Sequence, residues 1–123
     1  MPKARRPLSV AIVTAAVLSG LASAAAEHPI HMTVAAGKVG ETCMPLAVGD
    51  TLVWQFTANV AGDFNLHHHV GKDVLKPVDR KGVSEDRGEL AIDRANDWCL
   101  MWTAPQGSAM SISGVWSVRK APR

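Results

Sequence analysis

Trp98-Cys99-Leu100-Met101-Trp102-Thr103 alternates: Trp98, Leu100 and Trp102 fall on one side, Cys99, Met101 and Thr103 on the other. Successive side chains on extended backbone point to opposite faces, so period two marks a strand with one face in a core. The same period runs outward from this segment. Upstream, Phe64, Leu66, His68 and Val70 alternate with Asn65, His67 and His69. Leu52, Trp54 and Phe56 alternate with Val53, Gln55 and Thr57, and Ile30, Met32 and Val34 with His31 and Thr33. Downstream, Met110, Ile112, Trp116 and Val118 oppose Ser111, Ser113, Val115 and Ser117, with Gly114 expected at a kink or bulge. All four tryptophans fall on inward faces, as core or as the lining of a ligand cleft.

Turn chemistry separates these runs at Gly37, Gly40, Gly49-Asp50, Gly62-Asp63, Gly82 and Pro105-Gln106-Gly107. No long run keeps a helical period. Short strands at roughly 8–12-residue spacing predict an all-β fold, an antiparallel β-sandwich of the jelly-roll kind with about 7–8 strands. Residues 71–89 (GKDVLKPVDRKGVSEDRGE) have no such period. They are expected to give a short edge strand over Val74–Val78, then a mobile loop ending near Gly88. That segment reads as a solvated connection or a recognition loop.

The 123 residues are not one folded unit. Met1 to Arg6 is positively charged, Leu8 to Leu21 is apolar, and Ala24, Ala25 and Ala26 offer small residues for cleavage. Residues 1–26 therefore read as a secretory signal peptide, and 27–123 as a single domain of about 97 residues. The apolar run is shorter than the ~20 residues a membrane span needs, and no later stretch supplies one. Lys3, Arg5 and Arg6 take three of the 13 basic residues, which leaves 10 against 11 acidic. That balance excludes a basic nucleic-acid footprint. The expected location is the periplasm or outside the cell. Cys43 and Cys99 make an even count in that oxidising setting, and their wide spacing is unlike a Cys-x-x-Cys redox pair, so a structural disulfide is expected.

Three stretches resemble the GOLD (Golgi-dynamics) β-sandwich of cargo-sorting and lipid-transfer proteins. Leu46-Ala47-Val48-Gly49-Asp50-Thr51-Leu52-Val53-Trp54-Gln55-Phe56 looks like that family's glycine turn into an aromatic strand. Asp63-Phe64-Asn65-Leu66 resembles the strand that follows, and Trp98 to Thr103 its late aromatic-Cys-aromatic strand, with Ile112 to Val118 closing. Cys43 and Cys99 fall near the positions that cargo-type members pair. The chain departs from them in its bacterial-type leader and in lacking a carboxy-terminal membrane helix and a coiled coil. The resemblance implies a non-catalytic sandwich that binds a protein or lipid ligand, and no eukaryotic sorting role.

His67-His68-His69 is the one chemical feature of the chain. On a strand His67 and His69 share a face, spaced to chelate one copper or zinc ion with one or two further ligands. His31, on the polar side of its strand, supplies a third candidate, His28 a fourth, and Met101 another if the ion is Cu(I). The plain alternative is a solvated pair beside a packed His68. Cleavage after Ala25 would give Ala26-Glu27-His28, a terminus able to wrap Cu(II) or Ni(II) in four nitrogens. A blue-copper site is excluded, because no histidine follows Cys99. No G-x-S-x-G, phosphate loop or dinucleotide fingerprint is present, and no enzyme is expected. Two readings stand: a secreted non-catalytic binding or interaction domain with no certain cofactor, or a periplasmic copper- or zinc-binding protein.

Overall fold

The computed structural model describes residues 2–4, 7, 9–14 and 25–121, so most of the expected leader lies outside the described residues. Among the described residues six strands form: β1 His28–Val34, β2 Val39–Leu46, β3 Thr51–Val70, β4 Asp73–Ala91, β5 Asn96–Thr103 and β6 Met110–Arg119. All pair antiparallel, in the order β1-β6-β3-β5-β2 with β4 beside β3. The all-β antiparallel architecture is as expected, with fewer strands than the 7–8 anticipated. Among the described residues no helix is long and apolar enough to cross a membrane.

The count falls because the runs at 52–57 and 64–70 are one 20-residue strand, β3, and Gly62-Asp63 is no turn. Its first half, Thr51 to Ala58, pairs with β6; its second, Asp63 to His68, pairs with β5. Between them the register with β4 shifts at Thr57/Gly62. Phe56 and Phe64 show what the bend achieves. Eight positions along a straight strand span roughly 26 Å, yet these two rings lie 4.7 Å apart between centroids. The sheet curls onto itself, with β1 and β6 on one half and β2 and β5 on the other. Gly62 sits inside the bend, where a Cβ would come within 2.6 Å of Met110 Sδ and of the Thr103 carbonyl.

The core fills the fold of the curl. Trp98, Trp102, Phe64, Leu52, Leu66 and Leu100 are all fully buried there, and Trp54 and Phe56 nearly so. Trp116 is only half-buried. Gly114 breaks neither ladder, contrary to the expected kink: Ile30↔Gly114 and Phe56↔Gly114 are in register. Glycine is needed there because the Phe56 backbone crosses where a Cβ would stand, its Cα 2.7 Å away.

The expected loop over 71–89 is instead a 19-residue strand. β4 pairs only with β3, so it is an edge, mostly exposed, with Val78 its one buried residue and Val83 and Leu90 packed partly against the core. Backbone pairing holds it, and its charges blunt edge-to-edge association. The register slips by one residue between Leu66 and His68, where Pro77 falls. An edge bulge tolerates a residue with no N–H to give.

At the β2–β3 turn Asp50 is buried, 2% exposed. Its Oδ2 accepts the Ala47 N–H at 2.9 Å and meets Lys120 Nζ at 3.3 Å. The backbone donation from Ala47, aided by Lys120, holds this carboxyl below its ordinary 3.8. The unfolded chain then binds the proton more tightly, so the stabilisation is present above pH 3.8 and is lost as pH falls below it. Asp50→Ala is expected to lower stability by about 1–3 kcal/mol at pH 7. In urea melts that deficit should shrink by pH 3; a deficit that does not change with pH would refute the assignment.

Candidate functional site

The strand period sets the faces of the second half of β3. Phe64, Leu66 and His68 point into the curl, while Asn65, His67 and His69 point out. His67 lies opposite Cys99, which lies opposite Cys43, so these three form one row across β3, β5 and β2. Asn65, Met101 and Glu41 form the next row. Cys43 and Cys99 are joined as expected, their Cα atoms 4.1 Å apart.

His67 is on the outward side and nonetheless buried, 4% exposed. Its Nδ1–H donates to Asn65 Oδ1 at 2.7 Å. That bond fixes the ring and leaves Nε2 facing Glu41 Oε2 at 3.7 Å. The His69 ring stands edge-on, 5.2 Å away between centroids, and is exposed. Burial holds the His67 imidazole below its ordinary 6.5; Glu41 opposes this, while His69, Lys76 and His68 reinforce it. The ring is therefore neutral at pH 7, with one nitrogen engaged and the other available.

His68 is a satisfied core group. It stacks on Trp98 at 3.8 Å with 13° between planes, and Asn96 Nδ2 lies 3.3 Å from its Nδ1. Trp98 Nε1–H in turn donates to the Arg94 carbonyl. His31 and His28 lie on β1, which pairs with β6 only, not with the strands around His67. His31 is exposed opposite Ser113, and exposed His28 stacks on Trp116 at 4.0 Å. Among the described residues, one set of three potential ligands lies within 4.8 Å: Glu41, Cys43 and Cys99. Its sulfurs are tied up in the disulfide. The four histidines are thus not gathered; the fold brings His67 and His69 together and adds Asn65 and Glu41. Glu41 is 26 positions before His67, and only strand pairing reveals it as a neighbour.

The other half of the curl carries a cleft of ≈ 580 Å³ across β6, β3 and β4. Gln55, Thr57, Glu85, Asp86, Arg87 and Ser113 line it. It forms because small Thr57 and Ser113 lie opposite each other, with the long Glu85 and Arg87 standing as a wall on β4. Asp86 is anchored, accepting from Trp54 Nε1–H at 3.2 Å and lying 3.8 Å from Arg80 Nε. Glu85 and Arg87 form no ion pair among the described residues. Their place here was hidden in the sequence, where they belong to the unpatterned 71–89 segment.

No family model matches the chain, and no curated protein matches it in sequence. Among solved structures it is similar to the crystal structure of Aeromonas hydrophila PliG, a periplasmic lysozyme inhibitor of g-type lysozyme. The TM-score is 0.53 at 10% identity, over 77% of this chain and 88% of that one. At that identity the likeness is one of fold.

Proposed function

We propose that the chain is a secreted or periplasmic, non-catalytic binding domain whose ligand is a protein, held on the cleft across β6, β3 and β4. The observation that carries this is the cleft itself. Its walls are strands, so it is preformed, and it offers Glu85 and Arg87, which have no ion-pair partner among the described residues, beside Gln55, Thr57 and Ser113. Charges left unpaired on a rigid face are available to a partner, where they set encounter rate and register. The fold it shares with PliG, itself an inhibitor of a lysozyme, supports the same reading and suggests a lysozyme as the partner class. The GOLD resemblance agrees with it in implying a non-catalytic sandwich. The disulfide and the leader-like first 26 residues support an extracytoplasmic location.

The test is lysis of cell-wall substrate by lysozymes of g-type and other types, with the purified protein titrated in. Stoichiometric loss of activity is expected against at least one of them. The charge reversals Glu85→Lys and Arg87→Glu together should weaken that inhibition about 10-fold or more, roughly 1.4 kcal/mol. Undiminished lysis by every type at saturating protein would remove the lysozyme assignment. Inhibition indifferent to both reversals would remove the cleft.

A further inference from the structure

We propose that His67, His69 and Glu41 form a binding site for a divalent transition metal ion, of the two-imidazole, one-carboxylate kind that zinc takes, with Asn65 as a positioning residue. The site lies outside the cleft and stands without it.

Three observations lead there. First, His67 is held as a metal-bound histidine is held. One ring nitrogen donates to a fixed oxygen, Asn65 Oδ1 at 2.7 Å, and the other has no hydrogen bond among the described residues. Such an outer partner sets the tautomer and aims the free nitrogen. Second, what that nitrogen faces is a carboxylate, Glu41 Oε2 at 3.7 Å. A second imidazole stands alongside. Two imidazoles bound ~2.0–2.1 Å from one tetrahedral ion place their ring centres about 5 Å apart, and those of His67 and His69 are 5.2 Å apart. Third, the disulfide braces the floor. Cys99 is directly opposite His67 and is tied to Cys43, two residues from Glu41 on β2, so the strands carrying the donors are fixed to one another.

As they stand, the donor atoms of His67, His69 and Glu41 do not all lie within 4.8 Å of one another. His69 is exposed and the Glu41 side chain is half-exposed, so rotation of those two toward the buried His67 is what closes the set, without disturbing the core. Nitrogen and carboxylate oxygen suit zinc, and Cu(II) binds such sites more tightly still in the usual order of affinities.

The experiment is calorimetric titration of the folded, disulfide-intact protein with ZnCl₂, with Co²⁺ absorption as a second readout of tetrahedral binding. One equivalent is expected to bind with Kd tighter than roughly 1 μM. His69→Ala and Glu41→Gln, at exposed positions that leave folding intact, should each weaken binding at least 10-fold. Asn65→Ala, acting through His67, should weaken it about 10–100-fold while leaving one equivalent bound at saturation. The double variant His28→Ala/His31→Ala should bind as the parent does. Kd weaker than roughly 10 μM, indifference to His69→Ala and Glu41→Gln, or loss in the His28/His31 variant would each overturn the site. Lysozyme inhibition is read on the other half of the fold, so either proposal can fail alone.

Discussion

Phe64→Ala is expected to cost about 3–5 kcal/mol, the range for emptying a fully buried aromatic site. Phe64 has no exposed surface and lies where the curl closes. Its ring is 4.7 Å from Phe56 in the first half of the same strand, 5.4 Å from Trp102 on β5 and 6.2 Å from Trp54. Removing it takes away the contact through which the two halves of β3 recognise each other. Folded domains have about 5–15 kcal/mol in total, so the variant should approach the edge of folding at 37 °C. Phe64→Leu keeps most of the volume and should cost under about 1.5 kcal/mol if the neighbours repack. Urea midpoints and near-ultraviolet circular dichroism of the tryptophans check both. A loss below 1 kcal/mol for the alanine variant would mean that the Phe56–Phe64 contact does not hold the bend.

The second large effect is that of the Cys43–Cys99 bridge. Its cysteines are 56 positions apart. The chain-entropy model gives about 4 kcal/mol for closing a loop of that length. The bridge also ties an edge strand, β2, to the interior strand β5, and β2 delivers Met44 and Leu46 to the core. Cys43→Ser/Cys99→Ser is therefore expected to melt roughly 15–30 °C lower, at about 4–8 °C per kcal/mol for a domain of this size. Parent protein in excess reductant should melt with the variant. If the parent and variant melt within 5 °C of each other under non-reducing conditions, the bridge is not a principal source of stability.

Legibility in the sequence followed burial. β1, β5, β6 and both halves of β3 have one face in the core and one outside, and each shows plain alternation. β4 is a strand by pairing rather than by side-chain burial, with Val78 its only buried residue, so its composition looks like a loop. β2 carries Gly40 and Pro45, both punctuation marks in most contexts, and an edge position lets it keep them. The continuity of β3 through Gly62 was hidden for a related reason. A glycine before an aspartate signals a turn locally, whereas here the demand for glycine comes from Met110 and Thr103 across the bend. For the site, alternation separated outward His67 and His69 from inward His68. Burial of His67 on the outward side, and its partners Asn65 and Glu41, depend on which strands lie beside β3. No local period encodes that.

The place of β6 bears on how the chain is made. Among the described residues β6 is the last strand; it lies between β1 and β3, and β1 has no other partner in the sheet. While the chain grows from its amino terminus, His28–Val34 therefore waits for Met110–Arg119 before it can pair. At about 5–20 residues per second that wait is roughly 4–16 s. Throughout it Ile30, Met32 and Val34 stay available to chaperones or a translocation channel. A domain whose β1 is completed only by β6 commits to its native form late in its own synthesis, a delay that agrees with the extracytoplasmic location proposed above.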